Sequence, residues 1–226
     1  MGIKLDIPMT LGILLVAVIV FGVTDIDIYV QDMLYDFRTH TWVLDRDLQP
    51  WKYLFYDGIK RWLIILGVAF LSVLAFGWRS QILRAHKQGL MIVVLSAILV
   101  PLTVGTVKKS TNMPCPKNEL RYGGEMIRTA VWQKYPQPFS AMPKIACWPA
   151  GHASGGFALL SLFFLFRSKR YRVTALLFAL VVGWSMGIYK MLIGDHFLSH
   201  TLITMILSWL TIILIRIPIQ KRLDRQ

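Results

Sequence analysis

The chain has 226 residues, 55% of them hydrophobic, and a mean hydropathy of +0.54. These values are too apolar for an ordinary soluble domain, and several apolar runs are long enough to cross a bilayer. The net charge of +13 would suggest a nucleic-acid partner in a soluble protein, but here the basic residues are dispersed between apolar runs. The cytoplasmic loops of a membrane protein account for them better, so we expect a lipid bilayer as partner and no nucleic acid.

Six apolar segments predict an all-α integral membrane protein, a six-transmembrane-helix bundle that forms one domain over residues 1–226. The predicted spans are residues 7–23, 62–78, 89–107, 152–166, 173–192 and 199–217. The first could pass for a signal-peptide core, but only Lys4 precedes it and no small-x-small cleavage pattern follows. We therefore interpret it as a retained span.

The segments between the spans predict the topology. Basic stretches follow spans 2, 4 and 6, which the positive-inside rule places in the cytoplasm. Residues 24–61, rich in Asp and aromatic side chains, then lie on the outer side as interfacial helices. Residues 108–151, with six of the ten prolines, form a long irregular outer loop between spans 3 and 4. The turn between spans 5 and 6 faces outward too.

The two cysteines, Cys115 and Cys147, lie near opposite ends of this long outer loop. In an oxidising exterior or periplasm, a disulfide that closes the loop is expected. The alternative is a pair of free thiols.

Three groups of polar residues lie at the predicted outer ends of the spans, where ionisable side chains are costly and usually functional. Lysines neutralise phosphoryl oxygens, and a helix that begins with glycine offers unpaired backbone N–H groups to an anion. A histidine can attack phosphorus while another protonates the leaving oxygen. These groups are Lys108 and Lys109, then Gly151 and His152, and then Lys190, Asp195, His196 and His200.

Two other interpretations of the histidines stay open at this point. His196 and His200 could simply cap two helix ends at the membrane interface. With Asp195 and His152 they could also form a Zn²⁺ site, since histidines four residues apart bind metal when a carboxylate is near, although neighbouring lysines oppose a dication.

The order and spacing of these residues resemble the type 2 phosphatidic acid phosphatase superfamily, whose motifs are K-x6-R-P, P-S-G-H and S-R-x5-H-x3-D. The stretch from Lys108 to Pro116 matches the first motif, with Cys115 in place of Arg. Residues 149–152 match the second, with Ala150 in place of Ser. Residues 189–200 match the third, with Lys190 for Arg and His200 for Asp.

This resemblance implies a role for each matched residue. His196 would attack phosphorus and form a phosphohistidine, with His200 at the family's Asp position orienting it and Asp195 as the rival for that role. His152 would be the general acid. Phosphate would be held by Lys108, Lys190 and the Gly151 backbone, and Arg121 or Lys109 could substitute for the missing motif arginine. The family works without a metal or organic cofactor.

The resemblance also implies a lipid phosphatase of the bacterial inner membrane whose site faces the periplasm or exterior. Its substrate would be a phosphate mono- or diphosphate ester of a lipid, such as undecaprenyl diphosphate, phosphatidylglycerophosphate, phosphatidate or lipid A. A lipid phosphotransferase, a metal-dependent membrane hydrolase and an inactive lipid-binding protein are the alternatives. The sequence predicts neither the particular lipid nor the oligomeric state.

Overall fold

A computed structural model describes residues 3–77 and 80–223 of the chain. Its architecture is mostly α-helical, as the apolar segments predict. The predicted end of span 2 at residue 78 and the last residues of the basic tail, 224–226, lie outside the described residues. The α-helices are α1 (Ile3–Val23), α2 (Ile26–Asp32), α3 (Gly58–Phe76), α4 (Gln81–Ser110), α5 (Gly151–Ala158), α6 (Lys169–Leu192) and α7 (Leu198–Leu223).

Within the described ranges, five helical segments are long and apolar enough to cross a membrane, and they identify a membrane protein. They are Asp6–Val23, Tyr53–Phe76, His86–Ser110, Lys169–Leu192 and Leu198–Lys221. The second begins with a π-helical turn, Tyr53–Asp57, that leads into α3. The helical segment that contains the second span therefore starts before the predicted residue 62, and its first turns include Asp57, Lys60 and Arg61.

The predicted fourth span is shorter than a bilayer-crossing helix. Its apolar stretch, Gly151–Phe164, consists of α5 and a 3₁₀ segment, Leu159–Phe164. At a rise of about 1.5 Å per α residue and about 2.0 Å per 3₁₀ residue, the stretch is roughly 24 Å long. The six-span layout thus stays a prediction, with five spans supported by length.

Helix α7 lies at the centre of the bundle and packs against α1, α4 and α5, while α5 packs against α6. The membrane-depth core is built from fully buried apolar side chains such as Val100, Phe157 and Ile212. Gly156 allows α5 to approach α6 closely, because a Cβ there would lie 2.7 Å from the Cα of Gly183.

Between residues 24 and 50, the segment after α1 contains one short helix, α2, rather than interfacial helices throughout. A hairpin of two-residue strands, β1 (Tyr35–Asp36) and β2 (Thr41–Trp42), follows it. The long loop between α4 and α5 is irregular, as its prolines predict, with short 3₁₀ turns at Pro116–Asn118, Leu120–Tyr122 and Phe139–Ala141. Tyr35, Tyr122 and Trp148 form a second apolar cluster that joins both segments to Phe197.

Candidate active site

The turn between α6 and α7 and the first residues of α7 carry two of the predicted catalytic histidines, His196 and His200. Gly194 adopts a left-handed conformation, with φ of +71°, that favours glycine. The backbone N–H groups of Asp195 and His196 both donate to the carbonyl of Lys190, at 2.8 and 3.2 Å. Lys190, Asp195 and His196 are therefore brought together by the end of α6 itself.

The structure places His196 and His200 side by side. Their Nδ1 atoms are 3.3 Å apart, so one ring donates a hydrogen bond to the other. Both residues are almost fully buried, at 2% and 0% exposure. Among the described residues, neither Nε2 atom has a hydrogen-bond partner. The pair thus uses one nitrogen of each ring and leaves the other available.

The electrostatic surroundings keep His196 neutral. Burial lowers its pKa well below the ordinary value, and the ammonium groups of Lys108 and Lys190 act in the same direction. A neutral imidazole retains a lone pair on one ring nitrogen, which nucleophilic attack requires.

His152, from the start of α5, joins the pair. Its ring centroid lies 5.9 Å from that of His196, and its buried Nδ1 has no described partner. The Lys108 ammonium lies at the start of the same helix, since a Cβ on Gly151 would be 3.9 Å from its Nζ. The loop is fixed to α7 because the N–H of Ala150 donates to the carbonyl of His200 at 3.1 Å. Residues from three distant parts of the chain therefore meet at one point.

Asp195 is engaged by cations. Lys190 Nζ is 2.9 Å from its Oδ2, Lys117 Nζ is 2.8 Å from its Oδ1, and Arg46 also pairs with Oδ1. Burial alone would raise the pKa of Asp195, but the hydrogen bonds from Lys117 and Lys190 hold it below its ordinary value. The carboxylate is therefore ionised and faces the cations.

The two predicted substitutes for the motif arginine lie elsewhere. Arg121 forms a bidentate pair with Asp32, at 2.8 and 2.5 Å, and its described contacts do not include the histidines. Lys109 is exposed and follows Lys108 on α4, so its side chain points about 100° away around the helix. The structure brings Lys117 and Arg46 towards Lys190 instead.

Neither of these cations was singled out from the sequence. Lys117 directly follows Pro116 of the first motif, so its place beside the motif could have marked it as a candidate site residue. Arg46 lies in the segment after α1, where no motif marks it.

Cys115 and Cys147 form a disulfide, with Cα atoms 5.3 Å apart. The bridge joins the first motif to the loop residues that precede α5. Cys147 Sγ lies 3.5 Å from His196 Nδ1. Cys147, His196 and His200 are close enough to resemble a metal site. However, a disulfide sulfur is not a thiolate, so this trio offers only two good metal ligands.

An apolar groove leads away from His152. It has a volume of about 580 Å³ and lies between α3, α4 and α5, with Tyr56, Lys60, Gly151 and His152 at its polar end. From Lys60 to Leu71 it follows α3 for about 17 Å, at 1.5 Å per residue. The protein fully buries no residue of the apolar window in Tyr53–Phe76, so the outer flank of this helix requires a lipid or protein cover.

These features define a helical membrane protein with histidines and lysines gathered at the polar end of an apolar groove. A family model, the PAP2 superfamily, matches residues 89–224, more than half of the chain. The chain therefore belongs to the type 2 phosphatidic acid phosphatase superfamily, and the predicted family is confirmed. Membership suggests phosphatase or phosphotransferase activity on phosphate esters. No curated protein and no solved structure gives a significant match.

Proposed function

We propose that the protein is a lipid phosphatase that removes a phosphate from a lipid mono- or diphosphate ester through a phosphohistidine on His196. The observation that carries this proposal is the continuity of the histidine and lysine cluster with the apolar groove at His152. A lipid could therefore bind with its phosphate at the cluster and its hydrocarbon chain in the groove.

In this proposal His196 donates Nδ1–H to His200 Nδ1, which leaves the Nε2 lone pair to attack phosphorus. The geometry favours His200 over Asp195 as the orienting residue. His196 Nδ1 lies 3.3 Å from His200, whereas the Asp195 carboxylate oxygens face Lys117, Lys190 and Arg46.

Lys108 and Lys190, with the N–H groups at the start of α5, would neutralise the phosphoryl oxygens. His152, between this cluster and the groove, would be protonated when the phosphate dianion binds beside it, and would give this proton to the leaving oxygen of the lipid. The same residue would later take a proton from the attacking water as the P–N bond breaks, so that the enzyme returns to its starting state.

The localisation follows from charge and geometry. The basic stretches on the opposite side of the helices favour a cytoplasmic face there, and a disulfide beside His196 suits an oxidising compartment. We therefore propose a bacterial inner-membrane protein whose site faces the periplasm or exterior.

The test is a phosphate-release assay with purified protein against a panel of prenyl diphosphates, phosphatidylglycerophosphate, phosphatidate and lipid A, each with EDTA or vanadate. We expect release from at least one lipid, inhibition by vanadate, no effect of EDTA, and loss of release in His196→Ala. Full activity in His196→Ala would exclude the mechanism, and inhibition by EDTA would favour a metal-dependent hydrolase.

A phosphotransferase would use the same intermediate. Adding an acceptor lipid to the assay distinguishes it, because phosphate would then appear on the acceptor rather than in solution.

A further inference from the structure

Helix α2 lies outside the region that matches the family model, yet it contacts both ends of the histidine turn. Two of its polar side chains, Asp27 and Gln31, are one helical turn apart and have no solvent exposure. Fully buried polar groups of this kind need partners, and theirs are the backbones of α6 and α7.

Asp27 holds the start of α7. Its Oδ1 accepts a hydrogen bond from the backbone N–H of Ser199 at 2.8 Å, and its Oδ2 accepts one from Ser199 Oγ at 2.5 Å. The first N–H groups of a helix have no partner within the helix, and a negative charge there is favourable. Because Ser199 directly precedes His200, the carboxylate fixes the backbone that carries His200.

Gln31 holds the end of α6. Its Nε2 donates to the carbonyl of Met191 at 3.0 Å, in the last turn, where carbonyl groups lack helical partners. Met191 follows Lys190 directly. One short helix therefore fixes both sides of the turn that contains His196, next to Lys190 on α6 and His200 on α7.

Burial raises the pKa of Asp27 above its ordinary value, and Arg128 offsets part of this effect. Arg128 Nη2 lies 3.9 Å from Asp27 Oδ2, and the Arg128 guanidinium lies over the Phe197 ring at 5.6 Å. Burying a carboxylate is costly even with a partner. An apolar residue on α2 would pack without this cost, so the contact to Ser199 has a role beyond filling space.

We propose that Asp27 is a positioning residue for the reaction and, with Gln31, holds His196 and His200 in register. This inference depends on the proposed function. A neutral imidazole is a weaker hydrogen-bond partner than a carboxylate. With His200 instead of Asp as the orienting residue, the alignment of His196 depends more on a fixed backbone, which α2 provides.

The experiment compares Asp27→Ala, Asp27→Asn and the control Asp25→Ala, with the active lipid from the panel. The Asp25 side chain is 94% exposed and lies two residues away. We expect Asp27→Ala to lower kcat by roughly 10- to 100-fold, the scale of a small misplacement, with KM changed less than about threefold. Asp27→Asn keeps a carbonyl acceptor and should recover most of kcat, and Asp25→Ala should match the wild type.

Equal kcat in Asp27→Ala and Asp25→Ala would overturn the inference, and so would a loss of kcat that Asp27→Asn does not restore. If Asp27→Ala does not fold, Ser199→Ala takes its place. It removes the Oγ contact alone, and we expect a loss of about 3- to 10-fold in kcat, in line with one hydrogen bond. An unchanged kcat in Ser199→Ala would then contradict the inference.

A readout without turnover separates this inference from the proposed function. Imidazole ¹⁵N NMR on histidine-labelled protein, assigned with His196→Asn and His200→Asn, reports the Nδ1–Nδ1 contact. We expect the His196 and His200 signals to shift in Asp27→Ala and to stay in place in Asp25→Ala. If the wild type is inactive on every lipid but the signals shift as expected, only the proposed phosphatase function is rejected. Unshifted signals in Asp27→Ala reject the positioning role.

Discussion

The region that matches the family, residues 89–224, and the residues before it contribute differently to the site. The matched region carries the histidines and Lys108 and Lys190, whose spacing is recognisable in the sequence. The N-terminal region contributes Asp27 behind α7, Arg46 at Asp195, and helix α3 along the groove. The groups of the proposed chemistry thus lie in one part of the chain, and much of what positions them and faces the hydrocarbon lies in the other.

The largest expected effect tests the matched region. His152→Asn removes the proposed general acid, and we expect kcat for the lipid to fall by roughly 10²- to 10⁴-fold. With p-nitrophenyl phosphate, whose leaving group needs little protonation, the loss should be much smaller. An equal loss on both substrates, measured by phosphate release, would mean that His152 binds phosphate rather than donating a proton.

A smaller effect tests the groove, to which the N-terminal region contributes α3. A Cβ at Gly155 would lie 3.3 Å from Leu63 Cδ1, so Gly155→Leu should narrow the groove. Displacing about two methylene groups, at ~0.8 kcal/mol each, predicts a roughly tenfold higher KM for a long-chain lipid. A short-chain phosphate should be affected little.

The matched control for this substitution is Gly105→Leu on α4, where a Cβ would meet open space. Similar KM values for the long-chain lipid in both variants and the wild type would show that the chain binds elsewhere.

The smallest effect tests a sequence hypothesis that the geometry does not favour. Arg121 was a candidate to replace the missing motif arginine, but it pairs with Asp32 at a half-exposed position. Exposed ion pairs contribute about 0–1 kcal/mol to stability. Because the described contacts of Arg121 also do not include the histidines, Arg121→Gln should change kcat/KM by less than about threefold. Lys108→Gln is the comparison, and a loss in Arg121→Gln as large as in Lys108→Gln would show that Arg121 reaches phosphate.

The sequence was sufficient for the features that depend on local pattern. Hydropathy predicted the long helices, and motif spacing singled out His152, His196 and Lys108, which the fold brings together. It also pointed to the cysteine pair, because both residues lie in one outer loop.

Other features depend on long-range contacts that leave no local pattern. Asp27 meets Ser199 across 172 residues, and Arg46 meets Asp195 across 149. Nothing beside Asp27 distinguishes it from its exposed neighbour Asp25. The fourth apolar segment lies within two residues of its predicted bounds, but its change from α-helix to 3₁₀ turns at Leu159 leaves no local pattern either.

The central claim is a covalent bond between phosphorus and His196. Purified protein is mixed with the active lipid, quenched within milliseconds in alkali, where a phosphorus–nitrogen bond survives, and digested for mass spectrometry. The account predicts a phosphoryl group on the peptide that contains His196, and its absence in His196→Ala. Turnover by the wild type with no phosphorylated histidine at any quench time, or with phosphate on another residue, would contradict the account.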